Sequence, residues 1–377
     1  MEEWKTDRIE NLIDALIDYR GKTPQKDNQG IPLITAKIVK NGRIDTPEEF
    51  LAHDDYDSWM RRGYPQIGDV VLTTEAPLGE VAQISYLPVA LAQRIVTLRG
   101  KEGILDSTYL KYFLQSEIGQ KRLSARETGT TVTGIKQSEL RKVEITYPSF
   151  PTQRKIASIL KSIDDKIELN NHINHNLEEQ ADGIVSSLLN VGTTVLRLSD
   201  ICKYVSQKID CQSLTLDNYI STENMVPSRG GVTKSSNVPT GTAIEYSSGD
   251  ILVSNIRPYF QKIWKATYSG GCSNDVLCFR SSTNSPSFLY HLLRQNSFFD
   301  HVMAGAKGSK MPRGDKAQIM NWTFVLSEDW EAMESKLSII DKKVALLRVQ
   351  NLMLIELRDS VLPRLMSGEL KINDLTC

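Results

Sequence analysis

Two histidines, His172 and His175, lie three residues apart between Glu168 and Glu178, a spacing at which one helix could present several metal ligands. Both histidines fall outside the apolar positions of the helix predicted below, so we expect a solvated helix face there. The chain contains no Pro-Pro dipeptide, and therefore lacks the Asn/Asp-Pro-Pro-aromatic loop of amino-methyltransferases. It also lacks the Gly-x-Gly-x-x-Gly and Gly-x4-Gly-Lys-Ser/Thr cradles for nucleotides. The sequence predicts no catalytic residue, no cofactor and no metal.

Composition indicates a soluble, globular chain of two or three domains, because 40% of its 377 residues are hydrophobic and 24% are charged. The charged N-terminus argues against secretion, and the lack of 18 consecutive apolar residues argues against a membrane span, so we expect a cytoplasmic protein. An odd number of cysteines without a Cys-x-x-Cys pair predicts reduced thiols. They are Cys202, Cys211, Cys272, Cys278 and Cys377.

Charge is distributed unevenly along the chain, although the net charge is only −1. Residues 191–326 carry 14 basic and 9 acidic side chains, and every other segment is slightly acidic. A phosphate-binding surface is therefore compatible with this segment, but charge alone does not distinguish it from an ordinary mixed surface.

Weak internal matches recur in the same order at a shift of roughly 177–189 residues, which indicates a tandem duplication. Gly68–Leu72 resembles Gly249–Val253, and Ile163–Ile167 resembles Ile340–Val344. Each copy consists of a globular part followed by a helical part.

Each globular part is predicted to be α+β. The dipeptides Gly68-Asp69 and Gly249-Asp250 indicate turns into the strands 70–72 and 251–253, and further strands are predicted at 93–98 and 275–280. Helices are predicted at 107–115 and 285–295, each opened by a serine that could cap it.

Two long helices are predicted from apolar residues spaced alternately by four and three, the spacing of a coiled-coil seam. Eight of ten seam positions are apolar in each helix, and Pro363 is expected to kink or end the second. The first seam comprises 156, 160, 163, 167, 170, 174, 177, 181, 184 and 188; the second comprises 333, 337, 340, 344, 347, 351, 354, 358, 361 and 365.

An antiparallel pair is the economical way to bury both seams, although two helices packed separately on their own domains remain an alternative. Centring the helices on each other places Asn170 opposite Asn351 and Asn174 opposite Leu347. A buried asparagine pair would cost stability but fix the register. The other interpretation is that these amides face a gap filled by solvent or by a partner.

The start of the first helix resembles the central conserved region of type I restriction–modification specificity subunits. The resemblance is carried by a proline-rich lead and the pattern Gln-x-x-Ile-Ala-x-Ile-Leu in residues 148–160, continued by Asp-x-x-Ile at 164–167. The loops at 129–135 and 308–315, and the tail at 362–370, are also similar to that family. Residues 326–331 depart from it, because they lack the proline and the glutamine–arginine pattern of the first copy.

The resemblance implies two target-recognition domains separated by two long helices that form an antiparallel coiled coil. The implied boundaries are 1–150 for the first recognition domain, 151–192 for the central helical region, 193–327 for the second recognition domain, and 328–377 for the C-terminal helical region. It also implies a non-catalytic subunit that reads a bipartite DNA target, one half-site per domain. Its expected partners are double-stranded DNA, two methyltransferase subunits and a restriction–translocation subunit.

Candidate DNA contacts are basic and polar loop residues, since arginine can grip guanine, threonine can touch a thymine methyl, and lysine more often takes phosphate. The resemblance cannot choose among them, and Arg257 could equally be a structural ion-pair partner. The candidates are Lys22, Arg43, Arg61, Arg62, Thr131 and Lys136 in the first globular part, and Lys208, Arg257, Tyr259, Lys307, Lys310 and Arg313 in the second.

Two other functions remain open at this point. The chain could be the specificity subunit of a system that only methylates, or a structural coiled-coil adaptor whose globular parts bind proteins. A nuclease is disfavoured by the missing motifs.

Overall fold

The computed structural model describes residues 4–129 and 133–370, which form two compact units. Unit 1 comprises the described residues within 1–168 and 352–377, and unit 2 comprises residues 169–351. Each unit therefore contains one globular part together with segments of both long helices. The four segments expected from the sequence follow chain order instead, and their boundaries stay a prediction.

Unit 1 begins with short strands and ends its globular part with the entry into a long helix. Its strands are β1 Lys5–Arg8, β2 Ile13–Asp18, β3 Ile31–Ile34, β4 Val39–Lys40, β5 Arg43–Ile44, β6 Phe50–Leu51, β7 Val70–Thr74, β8 Leu78–Gln83, β9 Ala90–Leu91, β10 Ile95–Gly100 and β11 Glu144–Tyr147. Its helices are α1 Ile9–Leu12, α2 Tyr56–Trp59, α3 Ser107–Gln115, α4 Glu117–Ser124, α5 Gln137–Leu140 and the first part of α6 Phe150–Asn190, with a 3-10 turn at His53–Asp55.

Unit 2 repeats this plan. Its strands are β12 Thr194–Arg197, β13 Cys202–Tyr204, β14 Lys208–Asp210, β15 Tyr219–Ile220, β16 Thr242–Tyr246, β17 Ile251–Ser254, β18 Ile263–Lys265, β19 Gly270–Cys272, β20 Val276–Ser281 and β21 Thr323–Leu326. Its helices are α7 Leu198–Ile201, α8 Pro286–Leu293, α9 Asn296–Ala304, α10 Lys316–Met320 and the first part of α11 Glu334–Met366, with 3-10 turns at Cys211–Ser213, Pro258–Phe260 and Glu328–Met333.

Sheet topology confirms the duplication. The main antiparallel sheet has the strand order β2-β10-β7-β8 in unit 1 and β13-β20-β17-β18 in unit 2. In both units the first strand pairs antiparallel with the last, β1 with β11 and β12 with β21. The smaller sheets differ, with order β6-β3-β9 and a β4-β5 ribbon in unit 1 but β14-β16-β19-β15 in unit 2.

Strand β7 in unit 1 and strand β17 in unit 2 are each buried on both faces of the main sheet, which explains their continuous apolar sequences. Val70 and Leu72 face a core that contains α3 and the start of α6, whereas Val71 faces a second core under β3 and β9. In β17, Ile251 and Val253 face one core and Leu252 faces another. Successive side chains of a strand point to opposite faces, so a strand between two cores needs apolar residues throughout.

Helix starts differ from the expectation that a serine caps each of them. The N-cap of α3 is Asp106, whose carboxylate accepts a hydrogen bond from Tyr109 N at 2.9 Å. Ser107 instead accepts from Gly100 N at 3.0 Å. Ser285 occupies the N-cap of α8, but its side chain makes no capping hydrogen bond. A carboxylate competes well for this place because the N-terminus of a helix carries partial positive charge.

The two long helices, α6 with 41 residues and α11 with 33 residues, bury the predicted seams. All twenty seam positions are buried or half-buried, whereas many positions between them are exposed. Within unit 2, Asn170 of α6 contacts Asn351 of α11 at 2.8 Å, and Glu178 of α6 contacts Arg348 of α11 at 2.7 Å. The partner's number falls as the α6 number rises, so the helices are antiparallel. Helix α11 does not end at Pro363 but continues to Met366.

Four of the five cysteines lie in the described part of the chain, where each is a buried free thiol; Cys377 lies outside it. Across residues 4–129 and 133–370, no helix is both long and apolar enough to cross a membrane.

Candidate nucleic-acid interface

The exit of strand β17 shapes one end of unit 2. Its continuation reaches Arg257, a residue in the left-handed region (φ 49°) that precedes Pro258. This conformation costs a non-glycine residue about 1–2 kcal/mol and persists where neighbouring contacts enforce it. Here Arg257 N donates to Pro312 O at 2.8 Å, and Ile256 forms a β-bridge with Arg313. The strand exit is thereby attached to the loop 305–315.

That loop brings several predicted DNA contacts together. Lys307 and Arg313 exchange two backbone hydrogen bonds of 2.9 Å, and Lys310 lies exposed between them. Arg313 pairs with Asp275 at 3.2 Å, and Lys307 pairs with Asp315 at 3.0 Å, which lowers the pKa of that carboxyl group. All four side chains of these pairs are between 32% and 83% exposed. Phosphate oxygens could therefore replace the carboxylates at little cost in free energy.

Other candidates of unit 2 lie beside this loop. Tyr259 follows Arg257 and Pro258 directly, and its side chain is exposed. Lys208 donates to Asn274 at 2.9 Å, next to the residue that pairs with Arg313. The Nε atom of Arg257 is buried without a hydrogen-bond partner, so this atom does not form the structural ion pair that the sequence left open for Arg257.

Unit 1 has the same arrangement at the exit of β7. Ala76 occupies the left-handed region (φ 51°) before Pro77, as Arg257 does before Pro258. Gly134 forms β-bridges with Glu75 and with Thr128, so Gly134 and Thr128 are attached to this strand exit. The predicted contact Thr131 lies outside the described residues.

Arginines in the segments that follow β2 and α2 extend this surface of unit 1. Arg62 donates to the carbonyl oxygens of Asp18 and Arg20 at 2.7 and 3.1 Å. Arg20 donates to Ile135 O at 2.5 Å, and the exposed Lys136 follows that residue. Arg20 and Arg62 line a shallow cleft of about 440 Å³. The sequence did not indicate Arg20 as a candidate, because Arg20 is connected to this surface only by its hydrogen bond to Ile135, which lies 115 residues away in the chain.

The remaining candidates of unit 1 are less closely connected to this surface. Lys22 and Arg61 are exposed, and they neighbour Arg20 and Arg62 in the chain. Arg43 lies elsewhere, in a cleft lined also by Lys111, Asp164 and Arg358, beside the long helices. A role for Arg43 in contacting DNA therefore has no support from its neighbours.

Sequence reasoning also missed a basic cleft of about 640 Å³ beside Ala76 and Pro77. Its four cations come from three separate segments, which no local pattern connects; they are Lys26, Lys37, Lys40 and Arg94. Three of them pair with surface glutamates, as in the Arg94–Glu75 pair at 2.9 Å.

Half-buried ion pairs attach each globular part to the helices of its own unit. In unit 1, the Asp164 carboxylate accepts hydrogen bonds from Lys111 at 3.1 Å, Tyr112 at 2.7 Å and Arg358 at 3.1 Å. Burial acts to raise the pKa of Asp164, but these donors outweigh it, and the pKa falls below 3.8. A charge at this depth is tolerated only because it is paired.

In unit 2, the fully buried His291 takes the corresponding place between both helices. Its ring nitrogens contact Asp182 of α6 at 2.8 Å and Asp341 of α11 at 2.9 Å. Lys265 pairs with Asp341 and Arg294 with Asp182. Burial opposes the charged imidazolium, but the two carboxylates prevail and raise the pKa of His291 above 6.5. The same contacts lower the pKa of both aspartates.

The seam asparagines form a hydrogen-bonded group within unit 2. Asn170 Nδ2 donates to Asn351 Oδ1 at 2.8 Å and to Gln350 Oε1 at 3.0 Å, and Asn351 Nδ2 donates to Asn171 Oδ1 at 2.8 Å. The Oδ1 atoms of Asn170 and of the buried Asn174 have no hydrogen-bond partner. Asn170 and Asn351 therefore face each other in the predicted register.

No site for a metal emerges from the described residues, where no three histidine, cysteine or acidic side chains are grouped for one. His172 and His175 are exposed on α6, and His175 pairs with Glu179 at 3.3 Å.

Comparison with known proteins finds similarity to one family. Residues 1–179 match the model of the type I restriction modification DNA specificity domain. The type I restriction enzyme MjaIX specificity subunit of Methanocaldococcus jannaschii is 24% identical over 99% of this chain and 95% of its own length. The MjaVIII specificity subunit of the same organism is 27% identical over 50% of this chain and 46% of its own length.

A solved structure agrees with the fold. The type I restriction–modification S subunit of M. genitalium superposes with a TM-score of 0.59 at 16% identity, covering 97% of this chain and 96% of that one. At this identity the likeness concerns the fold alone, two α+β parts with two long helices. The family match over residues 1–179 and the relative that spans almost the whole chain both make this chain similar to type I restriction–modification specificity subunits.

Proposed function

We propose that this chain is the specificity subunit of a type I restriction–modification system, and that it reads a bipartite DNA target with each unit contacting one half-site. The observation that carries this proposal is the repeated strand exit with its attached loop. In unit 2 the loop carries Lys307, Lys310 and Arg313. In unit 1, Lys136 follows the segment attached to the corresponding strand exit, and Arg62 is connected to that segment through Arg20. Two similar domains, each with its own cationic loops, suit two short sequences separated by a fixed gap.

We propose further that the long helices bind the methyltransferase subunits, one for each copy of the duplication, and that the restriction–translocation subunit joins this assembly. Helix α11 supports the proposal because it exposes large apolar side chains outside its buried seam, a costly arrangement unless a partner covers them. In unit 2 these are Ile339, Leu346 and Val349; in unit 1 they are Leu352, Met353 and Leu357, all between 49% and 68% exposed.

The proposal is tested by selecting duplexes from a randomised pool with the full-length chain, alone and together with the methyltransferase subunits. Enrichment of two short motifs at a constant spacing supports DNA reading by two units. Binding of the methyltransferase subunits without any enriched sequence would instead identify a protein-interaction adaptor. Methylation by the assembled complex, mapped by methylation-sensitive sequencing, should mark the same motifs.

A further inference from the structure

We propose that Tyr259 and Phe260 form an aromatic wedge that inserts into an unstacked base step of the half-site read by unit 2. This inference rests on the function proposed above, because it requires that unit 2 contacts duplex DNA. Aromatic and apolar side chains of other DNA-binding proteins unstack base steps in this manner and bend the duplex.

The exposure of the two rings is the first observation. Tyr259 is 50% exposed and Phe260 is 38% exposed, and their ring centroids lie 4.7 Å apart. They are the only two consecutive residues among the described ones that both expose an aromatic side chain. The turn Pro258–Phe260 thus carries a continuous aromatic edge at the protein surface, in place of the polar residues usual in turns.

The backbone holds this edge rigidly. Arg257 and Gln261, which flank the turn, both have left-handed backbone conformations with φ of 49° and 50°. Phe260 N donates to Arg257 O at 3.0 Å, and its own carbonyl accepts from Ser228 N at 2.8 Å. Strained conformations of this kind concentrate at functional sites. A rigid turn also loses less conformational entropy when its rings insert between bases.

The charges around the edge favour a polyanion over a protein as the partner. Lys262 Nζ lies 5.9 Å from the centroid of the Phe260 ring. Arg229 is hydrogen-bonded to Asn296 next to the turn. On the other side, Arg257 links the turn to the loop that carries Arg313. Phosphates that flank an opened base step would meet these cations, and aromatic rings among cations are typical of surfaces that stack unpaired or unstacked bases.

Unit 1 has no equivalent edge. Its corresponding residues after Ala76-Pro77 are Leu78 and Gly79, which begin strand β8. The wedge should therefore open one half-site only. Since pyrimidine–purine steps unstack most easily, we expect unit 2 to prefer such a step at the position of the rings.

The test uses a duplex selected by the full-length wild-type chain from a randomised pool. 2-Aminopurine, whose fluorescence rises when the base unstacks, replaces each purine in turn. We expect a severalfold rise at one step of the unit 2 half-site and no rise in the other half-site. The double variant Y259A/F260A should abolish the rise and bind about tenfold more weakly, with an unchanged salt dependence. The conservative variant Y259F/F260Y should retain the rise.

Tyr86→Ala provides a matched control, because this tyrosine is 37% exposed, like Phe260, but lies in unit 1. It should change neither fluorescence nor affinity. A selected duplex that stays dark at every position in the wild-type complex would overturn the wedge, and the rings would then face a protein or the DNA backbone. The same holds if Y259A/F260A still brightens the step. Failure of the wild-type chain to select any sequence would instead overturn the proposed DNA reading itself.

Discussion

Replacement of the paired asparagines by leucine tests whether they fix the register of the helices. Asn170 is fully buried, and its amide donates to Asn351, which is 8% exposed. In Asn351→Leu, the buried Asn170 amide loses this acceptor, which costs about 1–3 kcal/mol. The new leucine recovers part of this by burying apolar surface, about 1.5–3 kcal/mol when burial is complete.

We therefore expect each single variant to be neutral or destabilised by about 1 kcal/mol, and the double variant to be more stable than the wild type by about 1–2 kcal/mol. The reason is that the double variant replaces both members of the pair, so that neither the Asn170 amide nor the Asn351 amide remains buried without its partner. The coupling energy, read from a double-mutant cycle in denaturant unfolding, should be at least about 1 kcal/mol. Asn176→Leu, which replaces an exposed asparagine of the same helix, serves as the control and should change stability little.

The binding site provides the second readout. If the amides specify the register, Asn170→Leu with Asn351→Leu should enrich half-sites with a broader range of gaps than the wild type does. A slip of one heptad would displace a helix by about 10 Å, or about three base pairs. Additive single effects together with an unchanged gap would refute the reasoning.

Three further outcomes are expected. His291→Gln should destabilise unit 2 by about 3 kcal/mol, because it leaves Asp182 and Asp341 without the cation between them. Because folding raises the pKa of His291 above 6.5, the histidine stabilises the folded state fully below that pH, and this stabilisation declines as the pH rises through the folded-state pKa. The thermal unfolding temperatures of wild type and variant should therefore converge at alkaline pH. If Arg313 contacts phosphate, Arg313→Ala should reduce the slope of log affinity against log salt concentration by about one. If Arg313 reads a base, the variant should lose about 1–3 kcal/mol of binding free energy, with relaxed preference at one base pair. The control Lys343→Ala on α11 should change neither quantity. Exchange of residues 8–148 for the same domain of a relative should change one half of the methylated motif, and a change in both halves would contradict independent reading.

Much of the fold could be predicted from local pattern. The apolar runs at 70–72 and 251–253 lie between two cores, and both are strands of the main sheets. The four-three spacing predicted which positions of α6 and α11 are buried, because side chains at that spacing share one helix face whatever the partner. Even the opposition of Asn170 and Asn351 followed from centring one seam on the other.

Helix starts show where local pattern misled. Serine at 107 and at 285 satisfied the preference for a capping residue, yet Asp106 caps α3 and Ser285 makes no capping bond. The competition between neighbouring acceptors depends on where each side chain points after the strand before it has been placed, and residue preference alone does not contain that information.

The interface depended most on tertiary structure. Amino-acid type identified Arg62, Lys307 and Arg313 as candidates, but it ranked Arg43 equally, although Arg43 lies beside the long helices. Nor did it single out His291, whose pKa is raised by two aspartates that lie 109 and 50 residues away in the chain. Periodicity reports which face of an element is apolar, because that property repeats every two or 3.6 residues. Which charges meet is decided by contacts between distant segments, and these contacts exist only once the sheets and helices have packed.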